Sequence, residues 1–190
     1  MNKELLIIAG PNGSGKSTLA NILLARKKLL PFVNADIIAR GLGGQSEKTD
    51  IAAGRSMLRI LHSTVDAGES IAFETTLSGR SWIRLINNAK ERGYQTSICF
   101  VAVHPVEVAV SRVKKRVSEG GHHIPEVVIR RRYPRSLNMY FNVYQRLVSQ
   151  SYFFDNTEVD GKLIAHSTDN KETVFNPSVY GIYQAEISRD

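Results

Sequence analysis

Residues Gly10-Pro11-Asn12-Gly13-Ser14-Gly15-Lys16-Ser17 leave this chain few folds to choose from. They fit G-x-x-x-x-G-K-[ST] at all four fixed positions, a loop whose backbone N–H groups converge on the oxygens of a polyphosphate. Lys16 stands where its ammonium can bridge β- and γ-phosphates, and the Ser17 hydroxyl where it can hold Mg²⁺. Such a loop needs a buried strand before it and a helix after it. Leu5 to Ala9 is a fully apolar run that reads as a parallel strand. Thr18 to Lys28, with apolar Leu19, Ile22, Leu23 and Ala25, predicts a helix whose first amides, beginning with Thr18, face the phosphates.

The rest of the chain alternates strand and helix. Pro31 to Asp36 reads as a second strand that delivers Asp36 at its C-terminal end, where parallel sheets bind ligands. Residues 41–49 read as a Gly-rich polar loop; its Leu42-Gly43-Gly44-Gln45 imitates a transport-ATPase signature in the wrong place. Ile51, Gly54, Leu58, Leu61 and Val65 predict an amphipathic helix capped by Thr49 or Asp50 and ended by Gly68. Ser70 to Phe73 leads into Glu74, a second acidic group at a strand end. Trp82, Leu85, Ile86 and Ala89 form one face of the next helix, read as core. Gln95 to Val103 is a fourth strand holding the lone cysteine, Cys99, which reads as a packed thiol. A helix with Val106, Val110, Val113 and Val117 on one face breaks at Gly120-Gly121. Another begins near Pro125, with a kink expected at Pro134, and Leu137, Tyr140, Phe141, Tyr144 and Leu147 form an amphipathic stretch after it. Ser151 to Phe154 is a fifth strand ending at Asp155, expected near the nucleotide base, and an Asp160-Gly161 turn into Lys162 to Ala165 predicts a hairpin at the sheet edge. The expected fold is α/β: a doubly wound, mostly parallel five-stranded sheet with a helical lid and a C-terminal hairpin. Residues 1–190 are expected to form one domain, with 106–135 a basic lid within it. Only three residues precede the first strand and no apolar run approaches the ~18 residues of a membrane span, so the expected compartment is the cytoplasm.

The net charge of +7 is local. Between Arg112 and Arg135 stand eight Lys or Arg against two Glu, a surplus of six in one segment. Beside a phosphate loop, that segment most economically serves a triphosphate and a transferring phosphoryl group; gripping a nucleic-acid backbone is the alternative. Phosphoryl transfer asks the protein for placement, Mg²⁺ and positive charge. Lys16 and Ser17 supply the donor end. Of Asp36 and Glu74, one is positioned to accept a proton from a hydroxyl and the other to hold substrate or a metal-bound water. Arg112, Arg116 and Arg131 would close over the site.

Ala9 to Thr18, Phe32 to Asp36, Phe73 to Arg80 and Gly120 to Pro125 together resemble the zeta toxin family of P-loop kinases over roughly residues 4–140. The resemblance implies ATP and Mg²⁺, with the acceptor a hydroxyl of a small molecule, a UDP-N-acetyl amino sugar in the toxins. It casts Asp36 as base and Glu74 as substrate-holding carboxylate, and it suggests an antitoxin partner. Two lid arginines touch the γ-phosphate in the family. Arg112 or Arg116 matches the first; His122 stands at the place of the second, leaving Arg130 or Arg131 to substitute. The rival expectation is a nucleic-acid-end kinase or RNA-binding ATPase.

Overall fold

The computed structural model describes residues 3–26, 30–43, 47–158, 161–168 and 171–189. Its frame is a seven-stranded sheet in the order β2-β3-β1-β4-β5-β6-β7. These strands are β1 (Glu4–Ala9), β2 (Phe32–Asn34), β3 (Ile71–Thr75), β4 (Gln95–Ala102), β5 (Gln150–Asp155), β6 (Lys162–Thr168) and β7 (Lys171–Val174). The first five are parallel; β6 runs antiparallel to β5 and β7 to β6. The five parallel strands and the antiparallel pairing of β6 on β5 agree with the expectation from sequence, and the sheet goes on by one more strand. Asp160, half of the expected turn, lies outside the described residues.

The unbroken apolar runs of β1 and β4 are explained by cover on both faces. Because strand side chains alternate, Leu5, Ile7 and Ala9 enter one core with Phe73, Ile98 and Phe100, while Leu6 and Ile8 enter another with Ala72 and Cys99. The first core is roofed by α3 (Glu47–Asp66), α4 (Ile83–Glu91), α6 (Glu126–Met139) and α8 (Pro177–Ala185). The second is closed by Leu19, Ala20, Leu23 and Leu24 of α1 (Lys16–Arg26). A third cluster joins α5 (Val106–Ser118) to α6 through Ala109, Val110, Val113 and Ile129.

Two expectations needed correction. Residues Ala35–Gly41 form a helix, α2, so Asp36 sits in the first turn of a helix and not at a strand end. Asn34 is its cap, accepting from Asp36 N at 2.7 Å. Helix α3 already begins at Glu47, which puts Thr49 and Asp50 inside it; Gly44, Gln45 and Ser46 of the expected loop lie outside the described residues. The buried stripe of α3 is Ala53, Met57, Leu61 and Val65, whereas Ile51 is exposed. Periodicity found the helix but turned its inner face by a fraction of a turn, because Ile51 outweighed small Ala53. Helix α6 runs through Pro134 to Met139, a π-helical turn follows over Tyr140–Tyr144, and α7 (Gln145–Leu147) comes after it.

That π turn sets Tyr140 and Phe141 against Phe153. The Phe153 ring lies 5.1–5.4 Å from those of Phe100, Tyr140, Phe141, Tyr180 and Tyr183, joining sheet, α6 extension and C-terminal helix. Truncating this fully buried ring removes contacts to all three, so Phe153→Ala should cost about 3–5 kcal/mol in urea unfolding. A loss below ~1 kcal/mol would show that the cluster is not the keystone of this face.

Candidate functional site

The chain leaves β1, builds β2 and β3 on one side of it, then crosses to build β4 and β5 on the other. The reversal opens a crevice over the C-terminal end of β1, and the phosphate loop occupies it. The loop is tightly wedged. Gly13, at φ +77°, lies where a Cβ would sit 2.3 Å from the Ala109 carbonyl oxygen of α5; Gly15, at φ +94°, would place one 2.2 Å from Asn156 Nδ2. At Gly13 backbone and space both demand glycine; at Gly15 the positive φ does. Asn156 Nδ2 donates to the Ser14 carbonyl at 2.8 Å, and Arg112 donates to the carbonyls of Asn156 and Thr157 at 2.8 and 3.0 Å. The loop is thus braced from below by the end of β5 and by α5. Asn12 Oδ1 and Ser14 Oγ are buried here without a hydrogen-bond partner, the kind of open valence a ligand closes.

Above the loop, one carboxylate gathers the polar groups. Glu74 Oε2 accepts from Ser17 Oγ at 2.9 Å and from Asn34 Nδ2 at 3.1 Å, and Oε1 lies 3.9 Å from Lys16 Nζ. Lys16 Nζ also donates to the Pro11 carbonyl at 2.9 Å. Burial pushes the Lys16 ammonium below the ordinary lysine range; Glu74 and Asp36 oppose that shift and Arg116 adds to it. Four charged residues from α1, α2, β3 and α5 therefore share one electrostatic neighbourhood.

They line a cavity of about 900 Å³ together with Asn12, Trp82, His122, His123, Arg112, Arg131 and Arg132. Of the arginines singled out from the sequence, Arg112, Arg116 and Arg131 reach it. Arg112 spends two donors on the end of β5. Arg116 donates to the His122 carbonyl at 2.9 Å, holding the turn between α5 and α6, while its Nε is buried without a partner. Arg130 is turned away, paired with Glu107 and Glu126 across α5 and α6. Asp155, expected near a base, accepts from Tyr183 OH at 2.7 Å and from Thr157 N at 3.0 Å.

Sequence reasoning missed Asn34, Trp82 and Arg132. An Asn just ahead of Ala35-Asp36-Ile37-Ile38 is a cap signal that would have found Asn34. Trp82, read as core, is only half-buried: its Nε1 donates to Thr75 Oγ1 at 2.9 Å and its ring lies 4.8 Å from Phe73 while bordering the cavity. The loop carrying it is fixed by Ser136 Oγ on the Thr76 carbonyl (2.6 Å) and Tyr144 OH on the Gly79 carbonyl (2.7 Å). No local pattern announces those contacts, which span 60 and 65 residues.

The zeta toxin family model matches residues 1–158. An uncharacterized protein of Haemophilus influenzae is 33% identical over 134 residues, 70% of this chain and 94% of the relative. Among solved structures, a chain of the AvrRxo1-ORF1:-ORF2 complex with ATP superposes with a TM-score of 0.80 at 19% identity. The match covers 97% of this chain but 64% of that one, so this chain spans just under two thirds of its length. A structure from the PezAT chromosomal toxin-antitoxin system of Streptococcus pneumoniae gives 0.67 at 11% identity, covering 99% of this chain and 86% of that one. At these identities the two structural matches speak to the fold alone.

Arg112 and Arg130 make an internal contrast. Arg112→Ala leaves two carbonyls under the loop without their charged donors and should cost about 2–3 kcal/mol in urea unfolding. Arg130→Ala breaks exposed pairs and should leave the midpoint unmoved. Equal losses would mean that the brace beneath the loop carries no special weight.

Proposed function

The chain belongs to the zeta toxin family, and from that premise we propose that it is an ATP-dependent phosphotransferase whose acceptor is a hydroxyl of a small molecule, a nucleotide sugar. The observation that carries the reading is convergence. Lys16, Ser17, Asp36, Glu74, Arg116 and Arg131 come from five separate elements and line one cavity, large enough at about 900 Å³ for a ligand-sized site.

In this reading the loop amides from Gly10 to Thr18 receive the triphosphate, and Lys16 exchanges the Pro11 carbonyl for phosphate oxygens. Ser17 Oγ and Glu74 Oε2, 2.9 Å apart, are the hard oxygen donors that Mg²⁺ takes. Mg²⁺ held there would supply positive charge to the triphosphate. Asp36 accepts the proton of the attacking hydroxyl, and Asn34 fixes its backbone through the cap bond. Arg112, Arg116 and Arg131 belong to the basic 106–135 segment; Arg116 and Arg131, at the cavity, cover the site and bring positive charge to the moving phosphoryl group, while Arg112, fixed on the end of β5, holds the loop from below. The geometry thus supports a donor-side role for Glu74 beside the substrate-holding role its family resemblance implies. An antitoxin partner is proposed on family grounds.

Lys16→Ala should abolish transfer from γ-labelled ATP with the fold intact, and Asp36→Asn should keep nucleotide affinity while losing about 10²–10⁴-fold in rate. Unchanged turnover in Lys16→Ala overturns the kinase reading, and parental turnover in Asp36→Asn removes the base. For the acceptor, UDP-N-acetylglucosamine is the compound to test, by a mass gain of one phosphate. Transfer instead to an oligonucleotide 5′-hydroxyl, with affinity falling steeply with salt, would replace the sugar with a nucleic acid end.

A further inference from the structure

Gly54 lies in the interior of α3, between the buried Ala53 and the inward-facing Met57, and its backbone is ordinary right-handed helix. Glycine in that setting weakens a helix relative to alanine. Two structural reasons usually justify one: a positive φ, or a neighbour too close for a Cβ. Neither applies, because a Cβ built at Gly54 meets nothing within 4 Å. What the missing side chain leaves is room, and that room is part of the cavity shared with Asp36 and Trp82.

Around it the cavity changes character. Near Lys16 the lining is charged; at α3 it is Ala53, Gly54 and Met57, with the Trp82 ring as a further apolar surface. Trp82 is held at both ends, by Nε1 on Thr75 Oγ1 and by its backbone N–H donating to Tyr144 OH at 3.4 Å. A smooth helix surface and an immobile aromatic ring suit the flat face of a sugar or a heteroaromatic base. Asp36 lines the same cavity.

We propose that Ala53, Gly54, Met57 and Trp82 form the subsite for a ring of the phosphate acceptor, and that Gly54 sets the size of the ring admitted. This rests on the phosphotransferase reading above. Any side chain at 54 would project into the volume the ring needs, while leaving the phosphate loop untouched.

The test uses Gly54→Ala, Gly54→Leu and, as a control, Gly181→Ala. Gly181 is also interior to a helix with nothing within 4 Å of a Cβ, but it borders the cavity nowhere. Three quantities are measured: melting temperature, affinity for a non-hydrolysable ATP analogue, and label passed from γ-labelled ATP to UDP-N-acetylglucosamine and to the small-molecule fraction of a cell extract. Both alanine variants should melt roughly 2–4 °C higher than the parent. Gly54→Ala should nonetheless lose about tenfold in transfer and Gly54→Leu about a hundredfold, a size of effect expected from small misplacements of a reactant. Analogue affinity should stay within about twofold throughout, and Gly181→Ala should transfer at the parental rate. A purely structural glycine would lose stability and activity together. Parental transfer by Gly54→Leu, or a lowered melting temperature in Gly54→Ala, overturns the subsite alone. A parent that binds the analogue yet labels nothing overturns the phosphotransferase reading and the subsite with it.

Discussion

The fit of the phosphate loop against what lies beneath it governs this structure. Residues 10–15 pass so close to β4 and α5 that the α-carbons of Gly10 and Gly13 have no room for a side chain: a Cβ would sit 2.0 Å from the Val101 carbonyl oxygen or 2.3 Å from that of Ala109. Contact this close ties the loop to elements far away in sequence: Ser14 to Asn156, and through Arg112 to helix α5. The loop is therefore not a flexible flap on a strand but the top course of a packed stack. Its backbone donors hold their direction because the layers below cannot yield without breaking hydrogen bonds to buried carbonyls.

The same tie explains how charge is distributed. Burying Lys16 is costly in isolation, and the arrangement offsets this with Glu74 and the Pro11 carbonyl. Glu74 in turn is held by Ser17 and Asn34, so the site rests as a closed polar network with its cation already paired. In the proposed reading, a triphosphate would take the place of partners that Lys16 already has. The basic segment is likewise divided by geometry. Arg112 is bound into the brace, Arg130 is bound between acidic residues, and Arg116, Arg131 and Arg132 border the cavity.

Much of this was legible in the sequence, for identifiable reasons. The loop motif, the apolar runs of β1 and β4, and the Gly-Gly break after α5 are local signals, and each names a local conformation. Asp36 and Glu74 were found because polar residues following apolar strands stand out. What stayed hidden depends on long-range contact. Nothing near Trp82 tells that Thr75 and Tyr144 hold it at a cavity wall rather than in the core. Nothing near Arg112 tells that its partners are backbone carbonyls 44 and 45 residues away. Short α2 was missed because Ala35 to Gly41 lies between a strand and a Gly-rich stretch, leaving too few residues for a period to show.

The family match ends at residue 158, yet the cover of Phe153 and the partner of Asp155 come from Tyr180 and Tyr183, in the last helix. Synthesis runs from N- to C-terminus, so the residues that carry the motif emerge well before Tyr180 and Tyr183, which complete the support beneath it. The loop sequence must wait, with its strand, until the second tyrosine has cleared the exit tunnel before the aromatic cluster under β5 can close. The region that defines the family by likeness is thus shorter than the region that must be present for it to be fully built.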